Sequence, residues 1–177
     1  MGRYVALVRG INVGGKNPVG MPALKACFEA QGLADVATYI QSGNVVFTSG
    51  EGRAALVPRL EAALSEAFRF QASVVLRTGE QLRRVVDRAP AGFGARPALH
   101  RYDVIFLKEP LTAARALAAA PTREGVDRVF AGSGVLYYSR LVAQASRSRM
   151  SGIVSLPMYQ QMTIRNWNTT TRLLDLL

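Results

Sequence analysis

The succession of short periodic segments in the first 77 residues constrains the fold more than any other feature of this chain. Tyr4–Arg9 is an almost unbroken apolar run of strand length, the pattern of a strand covered on both faces. Met21–Gln31 places Met21, Leu24, Cys27 and Phe28 on one helical face, with Pro22 in the first turn and Gly32 just past the end. Two strands, Ala37–Gln41 and Asn44–Thr48, flank a Ser42-Gly43 turn. A second helix runs to about Phe68, its start blurred by Pro58, and Ser73–Arg77 closes the set as a strand. The order β-α-β-β-α-β predicts a ferredoxin-like α+β half over residues 1–77.

Beyond it, Thr78-Gly79-Glu80-Gln81 has the form of a capping box opening a helix to about Ala89, and Pro90–Leu99 reads as a Gly-, Pro- and Ala-rich linker. Residues 78–100 are therefore expected to be helix and linker. Over 101–177 the pattern repeats. A strand (Tyr102–Leu107) and a helix (Thr112–Ala119) precede a hairpin of Asp127–Ala131 and Val135–Ser139. A helical stretch broken at Pro157 (Arg149–Gln161), a short strand (Met162–Ile164) and a last helix (Asn168–Leu176) complete it. The expectation is a second, related α+β half packed on the first, covering its open sheet face.

Chemistry concentrates where the first strand ends. Arg9-Gly10-Ile11-Asn12-Val13-Gly14-Gly15-Lys16-Asn17 is a strand running into bare backbone amides and positive charge, a combination suited to an anion. From the crossover and hairpin geometry, the Gln41–Asn44 turn and the Arg77-Thr78 strand end are expected at the same sheet edge. Arg165-Asn166-Trp167-Asn168-Thr169 holds the matching place in the second half, with Asn168 as helix cap and Arg165 and Trp167 facing the connection. The expected ligand-binding set is Arg9, Asn12, Gly14, Gly15, Lys16, Ser42, Asn44, Arg165, Asn166 and Asn168.

Three of these segments also carry a resemblance. Arg9-Gly10-Ile11-Asn12-Val13-Gly14-Gly15, Tyr39-Ile40-Gln41-Ser42-Gly43-Asn44-Val45 and Arg165-Asn166-Trp167-Asn168-Thr169 resemble, in order and over nearly the whole chain, the hallmark segments of a bacterial family called domain of unknown function 1697. The resemblance implies a two-part α+β fold with a ferredoxin-like first half, and it implies no activity.

Gly10 to Lys16 also spells G-x-x-x-x-G-K, but Asn17 stands where a P-loop needs a magnesium-binding hydroxyl, and Pro18, Gly20 and Pro22 delay the helix. A nucleoside-triphosphatase is thereby disfavoured. Catalytic groups are scarce: His100 is the sole histidine, Cys27 lies on an apolar helix face, and Ser42 has no evident base. No metal-ligand cluster or cofactor motif is present in the sequence.

Charge narrows the partners. The net charge is +10, from 19 arginines and three lysines against 12 acids, and no acid occurs between Asp127 and Asp175. Codon bias accounts for arginine over lysine but not for this unevenness. The balance favours anionic partners. Aliphatic central strands in the first half argue against base stacking, so nucleic acid is the weaker partner and would be held through phosphates. Neither a charged leader with an apolar run nor a membrane span is evident, and one cysteine fits a reducing, cytoplasmic setting. The expected function is binding of a small phosphorylated or nucleotide-like ligand in a basic cleft. An enzyme acting on such a ligand, or a nonspecific nucleic-acid binder, are the alternatives.

Overall fold

The computed structural model describes residues 1–177, the full sequence. Its elements run β1 (Gly2–Arg9), α1 (Met21–Glu29), β2 (Ala34–Tyr39), β3 (Asn44–Ser49), α2 (Arg53–Phe68), β4 (Ser73–Thr78) and α3 (Gly79–Asp87). They continue with β5 (His100–Leu107), α4 (Ala113–Ala119), β6 (Asp127–Gly132), β7 (Val135–Leu141), β8 (Met162–Asn166) and α5 (Trp167–Asp175). Two antiparallel four-stranded sheets result, ordered β2-β3-β1-β4 and β6-β7-β5-β8. The second order is the first displaced by one complete set of strands, and each is the ferredoxin-like arrangement.

The chain divides into two units, residues 1–83 with 172–177, and residues 84–171. The boundary falls inside α3 rather than in the segment after it, and again inside α5.

In the first unit, Tyr4, Ala6 and Val8 of β1 join Phe47, Leu76, Leu24, Phe28, Leu56, Leu60 and Leu64 in one core. The intervening Val5 and Leu7 are equally buried, which is why this strand shows no polar alternation. Pro58 lies within α2 and does not end it, because burial of Leu56, Leu60 and Leu64 on one face holds the helix across the missing backbone donor. The capping box at α3 forms in both directions: the Thr78 N–H donates to Gln81 Oε1 (3.0 Å) and the Gln81 N–H to Thr78 Oγ1 (3.1 Å).

In the second unit, Ile105, Leu107, Leu136, Tyr138 and Met162 pack with Leu111, Ala116, Met150 and Ile153. Tyr138 donates its buried hydroxyl to the Pro121 carbonyl and Tyr137 to that of Val85, each at 2.6 Å. Here the expected helix over 149–161 is replaced by two 3-10 segments, Met150–Ser155 and Tyr159–Gln161, and a third, Val142–Arg147, precedes them. Serine, glycine and proline make this stretch a weak α-helix former. Asp127 then fixes the break by accepting hydrogen bonds from Ser148 Oγ (2.6 Å) and the Arg149 N–H (2.8 Å).

One backbone device recurs in both units. The Val8 N–H donates to the Gly43 carbonyl (2.8 Å), and the Leu107 N–H donates to the Gly134 carbonyl (3.0 Å). Each bond ties the end of a central strand to the neighbouring hairpin turn. At Gly43 the fit is close: φ is +81°, and a Cβ would stand 2.8 Å from Ile11 Cδ1 and 3.0 Å from the Val8 carbonyl oxygen. Gly43→Ala is expected to cost about 2 kcal/mol or more through backbone strain and overpacking. A urea-unfolding midpoint equal to that of the parent would contradict this close approach.

Candidate functional site

The segment after β1 is a pinned loop rather than a slack one. Gly10, Asn12, Gly14, Gly15 and Asn17 all have positive φ, between 46° and 76°, so the chain reverses repeatedly within a few residues. Asn12 holds it in place. Its amide donates to the Val19 carbonyl (2.9 Å) and the Gln41 carbonyl (2.8 Å), while Oδ1 accepts from the Val19 N–H (2.8 Å). Asn17 Nδ2 donates to the Gly10 carbonyl (2.9 Å), and the Asn12 N–H donates to the Asn17 carbonyl (3.1 Å). Buried Asn44 does the same for the neighbouring turn, donating to the Tyr39 carbonyl and to Ser42 Oγ, both at 2.9 Å.

The loop and the Gln41–Asn44 turn therefore meet, with Arg9, Asn12, Gly14, Gly15, Lys16, Ser42 and Asn44 in this one region. Within it the asparagines serve the backbone. Lys16, Gly14 and Gly15 are exposed, and Arg9 and Ser42 are half-exposed. Because α1 begins only at Met21, Lys16 is not at a helix N-terminus, which removes the P-loop geometry.

Arg77 and Thr78 are not part of this edge, contrary to expectation. The strand β4 is antiparallel to β1, with Arg77 opposite Val5 and Thr78 opposite Tyr4, so its end lies beside the start of β1. Only the beginning of β4, Ser73 opposite Arg9, lies at the loop edge.

In the second unit the segment Arg165–Thr169 also departs from expectation. Arg165 is inside β8, opposite Val104, buried, with Nη1 donating to the Ile164 carbonyl (2.8 Å). Burial lowers its pKa to about 10, which leaves it charged at neutral pH. Asn166, not Asn168, caps α5, its Oδ1 accepting from the Thr169 N–H at 2.7 Å. Trp167 packs edge-on against Phe93 with ring centres 5.2 Å apart. A side chain at Gly94 would collide with its indole nitrogen. Phe93 also meets Tyr102 (4.9 Å) and Tyr137 (5.4 Å), so its ring anchors the otherwise largely exposed Pro90–Leu99 segment, the expected linker, to this unit.

That packing creates three cavities, of which only the smallest is lined by residues of a sequence motif. One of about 440 Å³ is bordered by Arg96, His100, Tyr102, Arg128, Phe130 and Ser139 among others, and a neighbouring one of about 660 Å³ shares Arg96, His100, Arg128 and Ser139. A smaller one of about 170 Å³ is lined by His100, Asp103, Asn166, Trp167 and Asn168. The sole histidine borders all three, as the first residue of β5 rather than a linker residue.

Two carboxylates here behave oppositely. Burial raises the Asp103 carboxyl despite Arg140 and Arg101; Arg140 Nη2 lies 3.7 Å from its Oδ2. Burial pushes Asp127 upward too, but the Arg149 N–H, the Ser148 hydroxyl and the Arg123 N–H together outweigh it and hold the group below its ordinary value. No three His, Cys, Asp or Glu side chains come together in a way that could hold a metal ion. Cys27 is half-buried, and burial raises its thiol pKa. No helix is long and apolar enough to cross a membrane.

Residues 1–137 match a family described as "Protein of unknown function (DUF1697)". That span holds the first two hallmark segments and stops short of Arg165–Thr169. The fold is similar to the solved structure of conserved bacterial protein SP0830 from Streptococcus pneumoniae. The two are 30% identical, with a TM-score of 0.85 over 98% of this chain and 97% of that one. No curated protein matches the sequence.

Two measurements check these assignments. Asn12→Ala removes three hydrogen bonds and is expected to destabilise the protein by about 3 kcal/mol in denaturant unfolding, at about 1 kcal/mol for each bond. The depressed Asp127 carboxyl contributes stability that is complete above its ordinary value of 3.8 and is lost as pH falls through the lower folded value. Asp127→Asn should therefore lower stability at neutral pH and flatten its decline below about pH 4. An acid limb as steep as the parent's would contradict the hydrogen-bonded carboxylate.

Proposed function

Because the chain belongs to the family described as "Protein of unknown function (DUF1697)", its activity has to be argued from its residues, and we propose that it binds a small phosphorylated or nucleotide-like anion at the loop following β1. One observation carries the reading. Gly14 and Gly15 are consecutive, exposed and left-handed, their N–H groups have no protein acceptor, and the exposed ammonium of Lys16 follows directly with no acid paired to it. Adjacent free amides beside a cation form a small anion-binding concavity. The bonds from Asn12 and Asn17 support it further, since a loop already ordered loses little entropy on binding.

Roles within the site differ. Lys16 and the two glycine amides contact the anion, Arg9 and Ser42 lie at its base, and Asn12 and Asn44 hold the frame. Arg165 is assigned to strand β8, where its guanidinium is buried and bonded. A bacterial cytoplasm is the setting this reading adopts, in keeping with a single cysteine that has no disulfide partner.

Thermal unfolding with inorganic phosphate, adenosine monophosphate and a sugar phosphate tests the proposal. Ligand at about 100 times Kd adds about 2.7 kcal/mol, which is several degrees in Tm for a chain of this size. Lys16→Ala is expected to lose most of the increment given by inorganic phosphate and the sugar phosphate, with an unchanged Tm in buffer alone, and Arg9→Ala to reduce it. Equal shifts with those two ligands in Lys16→Ala and the parent would sink the loop assignment.

A further inference from the structure

We infer a second binding site, in the 440 Å³ cavity of the second unit, that takes a planar anion of nucleoside monophosphate type. It stands on its own observations and does not depend on the loop reading. The cavity lies within the size range of small-molecule sites.

Register builds its floor. Tyr102 of β5 is opposite Ser139 of β7, which is opposite Arg128 of β6, so these three lie side by side across the sheet. Alternation along each strand adds His100 two residues from Tyr102 and Phe130 two residues from Arg128 on the same face. The core residues Ile105, Leu136 and Tyr138 belong to the opposite face. This sheet face thus presents a hydroxyl, a phenol, an imidazole, a guanidinium and a phenyl ring in one patch.

The wall adds a second guanidinium. The backbone of Arg96 is held three times: its carbonyl accepts from the Leu99 N–H (3.0 Å) and the His100 N–H (2.9 Å), and its N–H donates to Tyr102 Oη (3.3 Å). Its side chain remains exposed and, like that of Arg128, makes no ion pair. None of the residues lining this cavity is acidic. Both arginines also border the neighbouring 660 Å³ cavity, where Glu124 and Asp127 join the lining, but neither pairs with them, and within the 440 Å³ cavity two guanidiniums meet no carboxylate. That balance favours an anion on this side, and the fork geometry of guanidinium suits phosphate.

The aromatic side fixes the rest of the ligand's character. Phe130 is 42% exposed on the edge strand β6 and lines the cavity beside Arg128. Tyr102 is held edge-on to Phe93 and near the His100 ring, with centres 5.8 Å apart. Rings offered at a sheet surface beside arginines are the means by which ferredoxin-like sheets stack bases. A bare phosphate would use only the arginines; a nucleoside phosphate uses both halves of the lining.

Calorimetric titration of the full chain tests this, with adenosine monophosphate, inorganic phosphate, adenosine and a short single-stranded RNA as probes. The monophosphate is expected to bind more tightly than phosphate or adenosine. Arg96→Gln and Arg128→Gln should each weaken it about tenfold, the usual effect of losing a charge-assisted contact. Phe130→Ser should weaken the monophosphate about tenfold and leave phosphate binding unchanged. RNA that binds with the same dependence on these residues would identify a nucleotide within a strand as the source of the chemistry, and failure of RNA alone would identify the free nucleotide. Binding that is indifferent to all three substitutions, or no tighter for the monophosphate than for phosphate, overturns the site. Loss of binding in Lys16→Ala alone would overturn it while leaving the loop reading intact.

Discussion

Each unit is organised by a central strand that hydrogen-bonds on both edges, and the polarity along that strand decides where chemistry can occur. In β1 the five residues Tyr4–Val8 are all buried, so no polar side chain can be carried along its length without a large desolvation cost. Function is displaced to the loop beyond Arg9, where the strand stops and the backbone turns back on itself. In β5 only Val104–Leu107 are buried, whereas His100–Asp103 remain accessible. The same strand order thus exposes opposite ends of the two central strands: the loop after β1, and the first half of β5.

Side chains that look like ligand contacts are often structural when backbone groups near them need partners. A turn that runs through several left-handed residues cannot satisfy its own carbonyls and amides in the usual ladders. Asn12, Asn17 and Asn44 supply those partners with their amide groups. What they leave unsatisfied, the amides of Gly14 and Gly15, is at the exposed tip. Order in the loop and free donors at its apex are two outcomes of one hydrogen-bond arrangement.

Much of this fold was legible from residues whose local and tertiary preferences agree. The unbroken run Tyr4–Arg9, the Ser42-Gly43 turn and the Thr78–Gln81 capping box all form as their chemistry indicates. The Val142–Gln161 stretch was less readable because its route depends on a distant carboxylate, Asp127, accepting from Ser148 and Arg149. Sequence position alone points Arg77 to the loop edge, but strand direction decides which end of β4 lies beside Arg9, and that end is Ser73. The 440 Å³ cavity in the second unit had almost no local signal. It arises from cross-strand pairing of Tyr102, Ser139 and Arg128 and from Phe93 folding the preceding segment onto the sheet. The one hint in the residues themselves was that His100 and Tyr102 are spaced to share a strand face.

The placement of residues 172–177 with residues 1–83 means that the chain leaves the first unit once and returns to it. Its closing residues are integral there: Leu173 is fully buried, and the Leu176 carbonyl accepts from Arg3 Nη2 at 2.9 Å. A single cut can therefore never release the first unit whole. A fragment ending near Arg83 would lack its final turn of helix, and a fragment beginning near Arg84 would carry that turn away from its partners. Isolating the first unit calls for a rejoined chain in which the segment from Arg172 is linked back to the segment from Met1. The two termini thus belong to one folding unit, although the whole second unit lies between them in sequence.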